Sequence, residues 1–160
     1  MKIVLNICLL CFVAIGLNAQ SLDNKVREKV DHKEGLFYGE DESLFTGEIM
    51  SYYNNGNKIF HYEVSEGVKT GNAFTYHVNG EIKEKGKYLN NKKHGKWVTL
   101  CENGNIIGKI EYRHGLKHGN WTILDEKGKK RIQMVYDNGK KVGDWKSWDE
   151  QGKLIAEKKF

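Results

Sequence analysis

The sequence contains six histidines, which are possible metal ligands. His94 and His118 both directly precede a glycine, and His114 precedes His118 by four residues. A spacing of four places two histidines on one face only where the segment is helical. Gly115 follows His114 directly, so this segment is predicted to be a loop and its histidines to be turn residues. We therefore predict no metal site.

Cys101 is the one cysteine that follows Cys8 and Cys11 of the N-terminal apolar segment, and it could suggest a thiol nucleophile. The equivalent positions in the sequence repeat described below hold His77 and Asp125, which is typical of a variable surface position. The sequence contains no phosphate loop, zinc motif or nucleophile elbow. We therefore predict that the protein is not an enzyme and uses no cofactor.

Lysines are concentrated in the longer of two kinds of connecting segment. They are Lys69, Lys92, Lys93, Lys117, Lys140 and Lys141. The shorter turns are neutral or acidic, as at residues 54–55 and 102–103. Because a repeat places equivalent turns along one edge, these lysines predict a basic edge that contacts an anionic partner. That partner could be lipid head groups, envelope polysaccharide or an acidic protein, and the alternative is a row of solvated turns.

Tryptophans form a second candidate surface. Trp97, Trp121 and Trp145 recur at a constant interval, and Trp148 lies three residues after the last of them. Aromatic anchors favour protein interfaces, so these four residues are predicted to contact a protein partner. The alternative is that the row closes the thin core of the protein's own sheet.

A glycine period of twenty-four positions defines the elements that must hold these side chains in place. Three glycine series keep the same phase, with Asn91 as the one replacement. They are Gly47, Gly71, Gly95, Gly119 and Gly143; Gly56, Gly80, Gly104, Gly128 and Gly152; and Gly67, Asn91, Gly115 and Gly139. The pattern predicts five tandem units, which start at the members of the first series.

Each unit is predicted to be a β-hairpin. In the third unit, residues 96–101 and 106–112 form the two strands, Asn103–Gly104 forms a type I′ turn, and residues 114–118 form a longer loop. The second strands end on apolar residues that should stack as a ladder, namely Val64, Tyr88, Tyr112, Tyr136 and Phe160. The first strands have apolar third and sixth residues, which require either a bulge or apolar side chains on both faces.

Neighbouring hairpins must pack against one another, because a lone hairpin is marginally stable in water. With one further strand at Leu36–Tyr38, the units predict an all-β fold. The fold is an elongated, single-layer antiparallel sheet of tandem hairpins with about 10–11 strands. At about 4.8 Å per strand, the sheet should be roughly 50 Å long.

The chain divides into three predicted segments. Residues 1–19 are a signal peptide, since Lys2 precedes an apolar run that ends near Ala19, and an uncleaved anchor is the alternative. Residues 20–34 are a polar lead-in, and residues 35–160 are the repeat domain. The protein is thus predicted to be exported to the periplasm, the cell envelope or the medium. Its net charge of +5 over 160 residues is too mild to indicate nucleic-acid binding.

The units resemble MORN repeat variants in the stretches Gly95–Trp97, Asn103–Gly104 and Asn90–Gly95. Residues 44–48 and 52–56 are similar to bacterial members that are called YwqK-like antitoxins. The resemblance covers nearly all of the chain after the lead-in and implies an elongated, curved sheet of hairpins. It also implies links to membranes, protein scaffolding and self-association. The predicted export signal, however, does not fit the cytoplasmic location of an antitoxin.

The leading functional prediction is an exported scaffold or binding module that captures an unknown protein partner on the aromatic-rich sheet. One alternative is a peripheral binder of an anionic lipid or envelope surface that uses the basic edge. Another is an antitoxin-like inhibitor of a partner toxin. Open sheet edges also predict edge-to-edge homo-oligomers.

Overall fold

Strands and turns account for the described part of the chain. The computed structural model describes residues 31–160, and no helix occurs among them. The predicted signal peptide, Cys8, Cys11 and the lead-in up to residue 30 lie outside the described residues. The strands are β1 (Asp31–Lys33), β2 (Leu36–Tyr38), β3 (Gly47–Tyr52), β4 (Lys58–Ser65), β5 (Val68–Tyr76), β6 (Ile82–Leu89), β7 (Lys92–Leu100), β8 (Ile106–Arg113), β9 (Leu116–Lys117), β10 (Gly119–Leu124), β11 (Lys130–Asp137), β12 (Lys140–Trp148) and β13 (Leu154–Lys159).

One antiparallel sheet contains the eleven strands from β3 to β13. Their order in the sheet follows their order in the chain, so the sheet is a succession of hairpins. β9 and β10 both pair with β8 and are two parts of a strand that is continuous in the equivalent β5, β7 and β12. The predicted all-β, single-layer antiparallel sheet of about 10–11 strands is confirmed.

The connections between units are two-residue turns, so the longer loops predicted at these positions are wrong. Arg113 pairs with Leu116 across His114 and Gly115, whose φ angles are 48° and 85°. Two consecutive positive φ angles between paired strands are the pattern of a type I′ turn. The same pattern recurs at residues 34–35, 66–67, 90–91 and 138–139. All six candidate lysines are therefore strand residues, within β5, β7, β9 and β12.

The turns inside the units differ from the predicted type I′ geometry as well. Gly104 donates its N–H to the Cys101 carbonyl (2.9 Å), and Cys101 donates to the Asn105 carbonyl (3.0 Å). Only Gly104 in this turn has a positive φ, 83°, so the turn is type I closed by a left-handed glycine. Asn103 contributes its side chain instead, because its Oδ1 accepts the N–H of Asn105 at 3.1 Å.

A bulge interrupts the first strand of the later units. β6 pairs with β7 up to His94 and again from Val98, which leaves residues 95–97 opposite Gly86 alone. Gly95 has a φ of 68° there, and similar angles of 63–77° occur at Gly71, Gly119 and Gly143. Bulges bend a strand and increase its twist, so every unit adds a bend at the same point.

A second register shift lies at the sixth residue of the first strand in each hairpin of the large sheet. In β7–β8, Thr99 pairs with Gly108 and Leu100 pairs with Ile106, so Ile107 is the extra residue. Of the two alternatives for the third and sixth apolar positions, the structure therefore contains the bulge.

Hydrogen bonds at both edges of the sheet join each unit to the next. At the type I′ edge, the N–H of Gly115 donates to the Lys93 carbonyl at 2.8 Å. At the opposite edge, the side-chain amide of Asn105 donates to the Glu126 carbonyl at 2.9 Å. Equivalent bonds recur along both edges, so each unit is held by its neighbours, as in other repeat proteins.

The N-terminal hairpin β1–β2 covers the first unit. Phe37 and Phe45, which are 6% and 7% exposed, pack with Ile49 and Val64 into a small buried core. The N–H of Phe37 also donates to the carbonyl of Gly67 at 2.9 Å. The hairpin thus caps the repeat array at its N-terminal end.

Candidate binding surface

Eight aromatic rings form a continuous row across one face of the sheet. Neighbouring centroids lie 4.8–6.4 Å apart, and the pairs are tilted or edge-to-face. The rings of this aromatic strip are, in order, Tyr62, Tyr88, Trp97, Tyr112, Trp121, Tyr136, Trp145 and Phe160. Apart from Tyr62, the strip interleaves two sets that the sequence predicts separately, the ladder of strand-end residues and the tryptophans.

The tryptophans are fixed by hydrogen bonds to the strand before them. The indole N–H of Trp97 donates to the Lys87 carbonyl at 3.1 Å. Trp121 and Trp145 make the same bond, each at 3.3 Å, to the carbonyl ten residues earlier. These carbonyls lie next to the bulge, where the strand ladder is interrupted. The indoles therefore satisfy backbone groups as well as packing against the neighbouring rings.

The three equivalent tryptophans differ in exposure. Trp97 is 2% exposed and is the largest fully buried side chain of the described residues, whereas Trp121 and Trp145 are half-buried. Gly86 explains the difference, because a Cβ atom there would lie 2.3 Å from the Trp97 ring. The positions equivalent to Gly86, on the strand before each later tryptophan, hold Ile110 and Met134. The strip is thus core at Trp97 and partly open towards β13.

A row of lysines lies over the strip, one for each inter-unit turn from residues 66–67 onward. We call Lys69, Lys93, Lys117 and Lys141 the lysine row. The last three place Nζ 4.0, 4.4 and 4.6 Å from the ring centroids of Trp97, Trp121 and Trp145, respectively. Lys69 Nζ lies 4.6 Å from the Tyr88 centroid. These are cation–π contacts, so the basic and the aromatic surfaces coincide in one surface.

The glycine bulge creates these contacts. Lys93 and Trp97 are four residues apart, a separation that spans about 13 Å in a regular strand. The bulge at Gly95 folds the intervening segment, and Lys93 Nζ reaches the face of the Trp97 ring. The same spacing and the same bulge recur for Lys117 with Trp121 and for Lys141 with Trp145.

The lysine row is unevenly neutralised. Lys93 forms an ion pair of 2.7 Å with Glu84, which lies on the neighbouring strand β6. Burial lowers the pKa of Lys69 from its ordinary value. Within residues 31–160, Lys69, Lys117 and Lys141 form no ion pair, and of these three only Lys117 and Lys141 are exposed. The exposed lysines of the row that lack an ion pair are therefore the two beside Trp121 and Trp145.

The remaining candidate residues lie apart from the strip. Lys92 and Lys140 each precede a member of the lysine row, are exposed, and make no ring contact within the described region. Trp148 ends β12 near the opposite edge, where Lys130 Nζ lies 5.3 Å from its centroid. Within the described residues, Trp148 therefore makes no ring contact with the aromatic strip.

The histidines and Cys101 make local contacts at the turns. His77 donates from Nε2 to the Leu100 carbonyl at 2.9 Å, and His118 lies 3.3 Å from the Asp137 carboxylate. The Cys101 thiol donates to Asn103 Oδ1 at 2.7 Å. Across residues 31–160, no group of three or more His, Cys, Asp or Glu side chains could hold a metal ion.

Sequence reasoning missed Tyr62 and Glu84 as members of the surface and did not connect the lysines with the tryptophans. Burial raises the pKa of Tyr62 to about 12 and raises the pKa values of Tyr88 and Tyr112 above their ordinary value. One signal could have found the row: Lys93, Lys117 and Lys141 each precede a tryptophan by four residues.

Fold and surface together define a β-hairpin repeat protein with a cationic aromatic face. A family model described as the MORN repeat variant matches residues 141–160, which cover most of β12 and β13. Over these residues the chain is similar to MORN repeat variants, and the predicted resemblance is confirmed there. No curated protein matches the chain. The likeness to YwqK-like members stays a prediction. Over the described residues, the fold offers no helix that is long and apolar enough to cross a membrane.

Proposed function

We propose that this chain is an exported, non-enzymatic binding module that holds an acidic protein segment on its lysine row and aromatic strip. The observation that carries the proposal is the contact of one lysine with one tryptophan in three successive units. A partner can pack apolar side chains on partly open rings and place carboxylates beside the ammonium groups. The family match to a repeat module is consistent with binding rather than catalysis.

Binding should be concentrated in the half of the strip nearest β13. Trp121 and Trp145 are half-buried, and Lys117 and Lys141 are exposed cations without a carboxylate partner within residues 31–160. Trp97, at 2% exposure, offers almost no surface to a partner and serves the fold. An acidic partner would therefore gain most where the rings are open and the charges are free.

Capture from crosslinked native cell envelope tests the proposal with tagged residues 20–160. We expect a captured protein to be lost with the double variant Lys117→Gln/Lys141→Gln. The matched control is Lys92→Gln/Lys140→Gln, which removes the same charge from neighbouring exposed positions away from the rings. Equal capture by both variants would count against the lysine row, provided that circular dichroism shows both variants folded.

Export is a separate part of the proposal and has its own test. It is supported by the positive start and apolar run of residues 1–19. Fractionation of cells that express the full chain should find a shortened protein outside the cytoplasm. Full-length protein in the cytoplasm alone would contradict export and would leave the binding experiment unaffected.

A second candidate function is binding to an anionic envelope surface. Lys92 and Lys140 favour it, because they extend the lysine row to the type I′ edge and are exposed. Each lysine near an anionic membrane contributes about 1 kcal/mol. Sedimentation with anionic vesicles should then weaken as salt rises, and Lys92→Gln/Lys140→Gln should reduce it. Absent or salt-independent binding would remove this candidate.

A further inference from the structure

The lysine row has a regular spacing that can select the conformation of a partner. Its members are one repeat period apart, and each unit contributes two neighbouring strands to the sheet. Strands about 4.8 Å apart give a spacing of about 9.6 Å from one unit to the next. A ligand that runs along the strip therefore meets a lysine and a tryptophan about every 9.6 Å.

A polyproline II segment matches this spacing more closely than other backbone conformations. It has three residues per turn and a rise of about 3.1 Å, so every third side chain returns to the same side after about 9.3 Å. In a β-strand, side chains return to one side after about 6.7 Å. In an α-helix, two turns advance about 10.8 Å, and the mismatch to the sheet grows to about 3–4 Å over three units.

The open rings fit the other side chains of such a segment. Aromatic-lined grooves bind proline-rich segments, because the polyproline II conformation is already formed and loses little entropy on binding. Trp121 and Trp145 are the half-buried indoles between the free cations of the row. Proline rings can pack on them while acidic side chains reach the lysines.

The charges also set where acidic residues are favoured. Lys117 and Lys141 are free and lie in adjacent positions of the row, so they can take two carboxylates three residues apart. Lys93 is already neutralised by Glu84 at 2.7 Å, and a third acidic residue gains little there. The surface should therefore favour acidic residues at two positions of the bound segment, whereas an uncharged residue at the third position costs little affinity.

We propose that the partner segment is a proline-rich polyproline II stretch with an acidic residue at every third position, which lies along the aromatic strip. This inference rests on the proposed function, since it names the conformation and the charge pattern of the same partner. Acidic residues contact Lys117 and Lys141, and the intervening residues contact Trp121 and Trp145.

Two labelled peptides of identical composition test the spacing. The first contains four Pro-Pro-Glu repeats, and the second places its four glutamates together between blocks of proline. Fluorescence anisotropy with residues 20–160 should give about tenfold tighter binding for the periodic peptide, as two correctly placed ion pairs would contribute. Equal affinities for the two peptides would overturn the inference but keep the proposed binding of acidic segments. No binding of either peptide, or of acidic control peptides in strand or helical form, would reject both.

Variants of the row give a second and independent readout. Lys117→Gln/Lys141→Gln should abolish the difference between the two peptides, while Lys92→Gln/Lys140→Gln should retain it. Glu84→Gln frees Lys93, so affinity for the periodic peptide should rise about two- to fivefold. An unchanged peptide preference in Lys117→Gln/Lys141→Gln would overturn the inference, as would tighter binding to anionic vesicles or uronate polysaccharide than to the periodic peptide.

Discussion

At the scale of single residues, Trp97 and Trp145 occupy the same repeat position, but one side chain is buried and the other is half-buried. Both indoles donate to a carbonyl ten residues earlier, and both lie under a lysine. Trp97 packs directly on the backbone at Gly86 of the preceding strand, whereas the equivalent position before Trp145 holds Met134. The burial of the indole therefore depends on the residue opposite it on the preceding strand and not on the repeat position itself.

Alanine substitution should separate the two roles. Trp97→Ala should lower the free energy of unfolding by about 3–5 kcal/mol, because it empties a fully buried site. Trp145→Ala should cost about 1–2 kcal/mol, because part of that ring is already in water. Urea denaturation measures both values, with Trp148→Ala as a control outside the strip. Equal losses for Trp97→Ala and Trp145→Ala would contradict this division.

The tyrosines of the strip should make the fold sensitive to alkali. Burial raises the pKa of Tyr62 to about 12 from an ordinary value of 10.0, so the folded state keeps a proton that the unfolded state releases. This contribution to stability is complete below pH 10 and is lost as the pH rises towards 12. Denaturant midpoints between pH 9 and 11.5 should fall less steeply for Tyr62→Phe than for the unchanged chain. Parallel curves would exclude Tyr62 as the cause.

At the scale of strands and turns, the sequence predicts the hairpin period but places the type I′ turn at the wrong one of the two connections. The Asn103–Gly104 pair suits a type I′ turn, yet it also suits a type I turn closed by a left-handed glycine. The side-chain bond from Asn103 to the N–H of Asn105 belongs to the second geometry. At the other edge, His114 takes a positive φ of 48° before Gly115, and a dipeptide pattern gives little warning of this.

The lysine–tryptophan contacts were not predicted from the sequence, for a related reason. Alternation along a strand places Lys93 and Trp97 on one face but far apart. Their contact needs the bulge at Gly95, and a glycine period alone does not show whether a glycine bends a strand or ends it. The sequence thus predicts the unit boundaries, but it does not predict the surface on which the lysines contact the tryptophans.

Asn91 is the one non-glycine of its series, and its side chain accounts for the exception. Oδ1 accepts the N–H of Lys69 at 2.8 Å, and Nδ2 donates to the Gly35 carbonyl at 2.9 Å. Asn91→Gly should keep the type I′ turn but release hairpin β1–β2, so hydrogen exchange at Phe37 should speed up. Asn90→Gly is the matched control. Faster exchange in the control, or none in Asn91→Gly, would argue against this link.

At the scale of the whole molecule, the two ends of the sheet differ. The N-terminal unit is covered by hairpin β1–β2, which buries Phe37 and Phe45. At the other end, every residue of β13 is exposed, with Leu154 at 42% and Ile155 at 62%. An uncovered strand edge with apolar side chains is a template for another strand.

Self-association through β13 therefore stays a prediction, which light scattering can check. We expect mass to rise with concentration, and Ile155→Lys should prevent that rise by adding charge and removing exposed apolar surface. Val78→Lys removes a comparably exposed residue, at 58%, from a turn far from the edge. A chain that remains monomeric at high concentration would refute the prediction.

The edge bonds between units have a mechanical consequence. The interstrand hydrogen bonds and the bond from Gly115 to Lys93 run along the long axis of the sheet. A pull on the two ends loads these bonds one after another, so the chain should yield at low force and lengthen by one hairpin at a time. A pull along the strands loads many bonds at once and meets far greater resistance. The sheet should therefore extend readily when it is pulled along its long axis and resist extension when it is pulled along its strands.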